Sequence, residues 1–141
     1  MTPDSKQKLK TLLLEHEAYK QFVYSDSTGN LTIGVGRNLS ARGISITEAI
    51  QLLEDDIIYF YSKLAHYVSF FDKLSDNRKI VLVDLCFNVG LNGFLKFTDM
   101  LQALAREDYN KAADEILNSK AAVQCPERYH QLALMMRNDQ L

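Results

Sequence analysis

Leu9, Leu12, Leu13 and His16 recur at helical spacing behind Thr2, Pro3 and Asp4, which suit an N-cap, a first helical position and a first turn. The pattern predicts a first helix that buries this face and gives out near Glu17. Periodicity then switches to two. Residues 21–24 read as a short strand and 25–30, SDSTGN, as the turn closing a hairpin. In the returning strand, 31–35, alternation sends Leu31, Ile33 and Val35 to a core face and Thr32, Gly34 and Gly36 to the other. After a polar loop over 37–46, Ser45 and Glu48 form a capping box for a long helix over about 46–66. Its expected buried stripe is Ile50, Leu53, Ile57, Phe60 or Tyr61, and Leu64.

The remainder reads as helical. Phe70 and Phe71 fall in a connection, and Ser75 with Asp76 caps a helix that is apolar on nearly every side from Ile80 to Val89. Gly90 suits its C-cap, and Gly93, Phe94 and Phe97 continue as a tight turn. Shorter helices are expected over about 98–106 and 109–118, with Asp108 capping the second. A last one opens at Pro126 and buries Leu132, Met135 and Met136. The whole is α+β, a small hairpin region followed by a helical one.

Composition narrows the function classes. With 141 residues, 47% of them hydrophobic, the chain can bury a core as a single domain. A formal charge of -2 gives no general pull towards nucleic acid or anionic lipid. Nucleic-acid binding and membrane insertion are therefore not expected. The N-terminus has no apolar signal region, and no apolar run approaches the roughly 20 residues of a membrane span. Cys86 and Cys125 show no metal-ligand or redox spacing and read as reduced thiols, with no metal or cofactor expected.

The chemistry concentrates in HEAYKQFVYSDSTGNLTIGVGRN, residues 16–38. Glu17 sits at the predicted helix end, against the negative end of its dipole, an arrangement useful to a proton donor. Asp26 lies in the polar turn, where an Asx-turn with its own backbone is the ordinary role. Thr32 puts a hydroxyl on a face otherwise floored by glycine, a surface that another molecule can approach closely. Two carboxyl groups in unlike surroundings are what acid/base cleavage of an acetal needs.

The spacing E-x8-D-x5-T, joined to YSDSTGNLTIGVG, resembles the phage-type lysozymes, the endolysins of glycoside hydrolase family 24. The resemblance runs from about residue 9 to 138. It implies a lysozyme-like two-lobed fold in one domain: an N-terminal lobe over about 12–45, a connecting helix over about 46–66, and a helical lobe over about 67–141 on which the first helix packs. The active site would lie in the groove between. It implies hydrolysis of the β-1,4 bond between N-acetylmuramic acid and N-acetylglucosamine in peptidoglycan, by an inverting monomer. The chain would accumulate in the host bacterial cytoplasm before acting on the periplasmic wall. Glu17, Asp26 and Thr32 take the catalytic roles, while Gly36, Phe87 and Asn88 of FNVG, and Arg128 of QCPER would bind substrate. Arg37 would form a structural ion pair with Asp56.

Three positions depart from the family pattern. Ala18 stands where glycine follows the catalytic Glu, Ala121 where tryptophan is usual, and Tyr129 where a small residue follows the arginine. Alanine at 18 would be strained if the helix end requires left-handed backbone; Ala121 and Tyr129 read as a reciprocal exchange of volume. These departures keep open a peptidoglycan-binding protein without turnover. A lytic transglycosylase stays open too, as does a helical interaction or nucleic-acid module.

Overall fold

The computed structural model describes residues 1–141. The chain forms two compact units, Met1–Gln51 and Leu52–Leu141. The fold is lysozyme-like α+β, as expected, with a three-stranded antiparallel sheet in the first unit and helices dominating the second.

The first unit opens with α1, Pro3–Glu17, started by the expected cap: Thr2 Oγ1 accepts the Ser5 amide at 3.1 Å. The sheet has the order β1 (Lys20–Ser25), β2 (Leu31–Gly34), β3 (Arg37–Asn38). β3 falls inside the segment expected to be loop. Register is set by Tyr24 opposite Thr32 and Thr32 opposite Asn38, with an irregularity in β1 between Lys20 and Tyr24. Residues directly opposite share a face, so Tyr24 and Asn38 flank Thr32, which keeps only 4% of its surface and is the one buried residue of the unit. The expected sidedness of β2 is therefore reversed: Leu31 and Val35 are 49% and 40% exposed.

The stripe expected to bury α1 does not do so. Leu9, Leu12, Leu13 and Leu14 stay 42–46% exposed, and no residue of α1 is buried. A short three-stranded sheet offers too little surface to cover a helix of four turns. The unit is tied instead by polar contacts. Glu48 accepts the Ser45 amide at 2.8 Å and Ser45 Oγ accepts the Glu48 amide at 3.1 Å, completing the capping box. Arg37 then grips the same carboxylate with both terminal nitrogens, at 2.8 and 2.5 Å, and donates to the Gly43 carbonyl. The expected Arg37 to Asp56 pair is thus replaced by Arg37 to Glu48. Glu48 is in the first turn of its helix, whereas Asp56 lies about two turns farther along it.

That helix, α2, runs Ile46–Tyr67. Of its expected buried stripe only Leu64 is buried; Ile50, Leu53, Ile57 and Tyr61 are exposed at 40% or more. In the second unit Leu53, Ile57 and Tyr61 line an open apolar groove of about 610 Å³ with Ile80, Val83 and Phe87. Hence the next helix, α3 (Asp76–Leu95), is buried at Val81, Leu82, Leu85 and Cys86 but not all round. Gly90, at φ 75 and ψ 165, breaks the helical backbone where a C-cap was expected, and a second helical segment follows across the kink to Leu95 where a tight turn was expected.

The core continues through α4 (Thr98–Ala105), α5 (Tyr109–Leu117), α6 (Lys120–Gln124) and α7 (Pro126–Asn138). Asp108 and Ser75 cap α5 and α3 as expected. The short α6 lies in a stretch that showed no helical pattern. Every fully buried apolar side chain belongs to the second unit. A clasp joins the start of α3 to the end of α7: Ser75 Oγ donates to Asp139 Oδ1, Asn77 Nδ2 to the Asp139 carbonyl at 2.7 Å, and Arg78 Nε to the Met136 carbonyl at 2.9 Å. Arg78 also stacks 3.5 Å over the Tyr109 ring. No single helix is long and apolar enough to cross a membrane.

Candidate active site

Glu17 is the last residue of α1, and the residue after it is strained. Ala18 adopts φ 59 and ψ 166, a region essentially reserved for glycine, while its amide still bonds the Leu14 carbonyl at 3.1 Å. The cost of such a backbone is about 1–3 kcal/mol. The helix end required of a glycine is therefore retained by alanine, strain included.

The Glu17 carboxyl lies against Gly36 in the β2–β3 turn. A Cβ at that position would come within 2.8 Å of Glu17 Oε2 and displace the carboxyl, and the backbone, at φ 67, favours glycine there. Glu17, Val35 and Gly36 share a concavity of about 570 Å³ with Leu9, Leu13 and Leu14. Its apolar lining comes from the α1 face that the sheet leaves uncovered.

Asp26 does two things at once. Its Oδ1 accepts the Thr28 amide at 2.9 Å, the Thr28 hydroxyl at 2.8 Å and the Asn30 amide at 2.9 Å, the Asx-turn expected of its position. These bonds, the Asn30 amide foremost, hold its carboxyl below the usual range. All three end on Oδ1, so Oδ2 is left for other work in a carboxylate fixed in its ionised form. Thr32 is anchored too: Oγ1 donates to the Asn30 carbonyl at 3.1 Å, which spends its proton and leaves its lone pairs.

The substrate-binding candidates of the second unit are organised by α3 and α7. Asp84 and Asn88 are four residues apart, one above the other on α3. Arg128 Nε donates to Asp84 Oδ1 at 2.7 Å, and Tyr129 Oη donates to Asn88 Oδ1 at 2.8 Å. Phe87 is 40% exposed and meets Phe60 edge to face, ring centroids 5.6 Å apart. Sequence reasoning missed the Asp84 and Tyr129 partnerships. The i, i+4 spacing of Asp84 and Asn88, facing adjacent Arg128 and Tyr129, is the signal that would have found them. Tyr129 is fully buried, and Ala121 is packed at the edge of the same core.

The first unit thus holds two carboxyl groups in unlike settings, a helix-end glutamate against a glycine turn and an aspartate held by the hydrogen bonds of its hairpin. The family model for phage lysozyme matches residues 14–132. A probable T4-type lysozyme 2 of Dictyostelium discoideum is 27% identical over 150 aligned positions, covering 85% of this chain and 88% of its own. The endolysin of Salmonella phage P22 is 33% identical over 125, covering 83% and 84%. The chain belongs to the phage lysozyme family and is a glycoside hydrolase.

Proposed function

We propose that the protein lyses bacterial cell walls by hydrolysing the β-1,4 bond between N-acetylmuramic acid and N-acetylglucosamine in peptidoglycan, with inversion. Glu17 gives its proton to the glycosidic oxygen as the C–O bond breaks. Asp26 takes a proton from the attacking water through Oδ2. Thr32, whose own proton is committed to Asn30, accepts the water's second hydrogen, so the oxygen lone pair is aimed at the anomeric carbon. Gly36, Phe87, Asn88 and Arg128 contact the sugars. The substrate reading is supported by the family and by the relative named an endolysin. The protein acts as a monomer, made in the host cytoplasm and delivered to the wall.

The observation that carries this reading is the Glu17 carboxyl at the helix end, lying against a glycine of positive φ. Glu17→Gln tests it. Loss of a general acid costs about 10²–10⁴ in rate, so turbidity clearance of permeabilised Gram-negative cells should disappear at an unchanged melting temperature. Clearance at the wild-type rate would remove Glu17 from catalysis. The strain at Ala18 favours a second reading, a wall-binding protein without turnover; sedimentation with purified walls and no release of reducing ends would establish it.

A further inference from the structure

Asn88 is exposed on α3, two residues before the Gly90 bend, yet its side chain is not free to turn. Its oxygen is held by the hydroxyl of Tyr129, which sits in the first turn of α7 with its side chain fully buried. A buried phenol must place its proton on an acceptor, since an unmet donor there is costly. Asn88 Oδ1 is that acceptor, at 2.8 Å. Burial also pushes the Tyr129 phenol up, which keeps the proton in place. One turn away, the Arg128 to Asp84 pair ties the same two helices, at 2.7 Å, and holds the ring in register.

An ordinary surface asparagine can rotate its amide and offer either a carbonyl or an NH₂ to a ligand. With one lone pair of Oδ1 taken by the Tyr129 hydroxyl, the amide is held in one orientation and cannot flip, so Asn88 meets a ligand chiefly through its NH₂. We propose that Tyr129 is a positioning residue that locks Asn88 as a hydrogen-bond donor, selecting the acetamido carbonyl oxygen of an N-acetylated sugar. The inference rests on the reading of Asn88 as a sugar contact. It gives the departure at position 129 a role in specificity as well as in volume.

Three variants test it on purified peptidoglycan and on the same material chemically de-N-acetylated. Tyr129→Phe keeps the ring and deletes the tie. Its KM on acetylated wall should rise about three- to tenfold, the worth of one hydrogen bond, with kcat unchanged. The preference for acetylated over de-N-acetylated wall should shrink by the same factor. A merely structural tyrosine would lower the melting temperature and leave that preference alone, which would overturn the proposal. Asn88→Asp decides the matter at an exposed position should Tyr129→Phe fail to fold: the carboxylate still accepts from Tyr129 but has no donor left. It should match Asn88→Ala in raised KM, and a wild-type KM for Asn88→Asp would equally overturn the donor assignment. Asn88→Ala separates the two layers. Unchanged KM there removes Asn88 from the substrate reading. Raised KM there, with unaltered preference in Tyr129→Phe, sinks this inference alone.

Discussion

The two units of the chain are built on opposite principles. Met1–Gln51 carries the catalytic candidates and buries a single residue, Thr32, whereas Leu52–Leu141 carries the whole apolar core. In the first unit the side chains that matter are aimed by hydrogen bonds: three on one oxygen of Asp26, one from Thr32, and the Arg37, Glu48 and Ser45 network. In the second, stability comes from close packing around Leu82, Leu85, Phe94 and Tyr129. Hydrogen bonds specify direction at modest net gain, while burial stabilises without direction. Aim and robustness are thus assigned to different stretches of the chain.

That division can be challenged in four ways. Leu85→Ala, in a fully buried site, should destabilise by about 2–5 kcal/mol, read as a lowered midpoint in urea; a cost below about 1 kcal/mol would mean the core is not where stability resides. Gly36→Ala should lower that midpoint by only about 1–2 kcal/mol, the cost of its positive φ, but push the Glu17 carboxyl aside. Activity should fall about a hundredfold for a displacement on the order of 1 Å, and wild-type activity would show that the glycine is not needed for aim. Ala18→Gly should relieve positive-φ strain and raise stability by about 1 kcal/mol, measured by thermal melting, with hydrolysis retained. A drop in stability would mean the strain is already compensated.

The smallest effect is in pH. Glu48, held down to about 2 chiefly by Arg37, and Asp26, also lowered, have folded pKa values below their unfolded ones of 4.5 and 3.8. Their contribution is complete above about pH 5 and is lost as pH falls towards 2. Cys86, pushed by burial from 9.0 to about 11, acts in the reverse sense, losing its contribution as pH rises through that window. Amide exchange should therefore loosen the first unit in acid and the second in alkali, and Glu48→Gln should blunt the acid response. Equal loosening of both units in acid would erase the contrast.

Local chemistry was the legible part of the sequence. Caps at Thr2, Ser45, Ser75 and Asp108, and the end of α1 at Glu17, fall where side-chain geometry dictates because each is decided within three or four residues. The Asx-turn of Asp26 was readable for the same reason. What periodicity could not reveal is which apolar stripe finds a partner. The leucines of α1 and the early stripe of α2 have helical spacing as good as that of α7, yet only α7 lies in the core. Partner choice between charges was equally hidden. Arg37 selects Glu48 over Asp56 through proximity across a tight turn, which spacing does not encode.

The clasp between α3 and α7 has a further consequence. Its partners are 58 to 64 residues apart in sequence, whereas the ties of the first unit span 2 to 11. On a ribosome, the hairpin that carries Asp26 and Thr32 can close while the rest is still unmade. The packed unit cannot fasten its own ends until Asp139 has emerged, so during synthesis its apolar helices wait longest for cover.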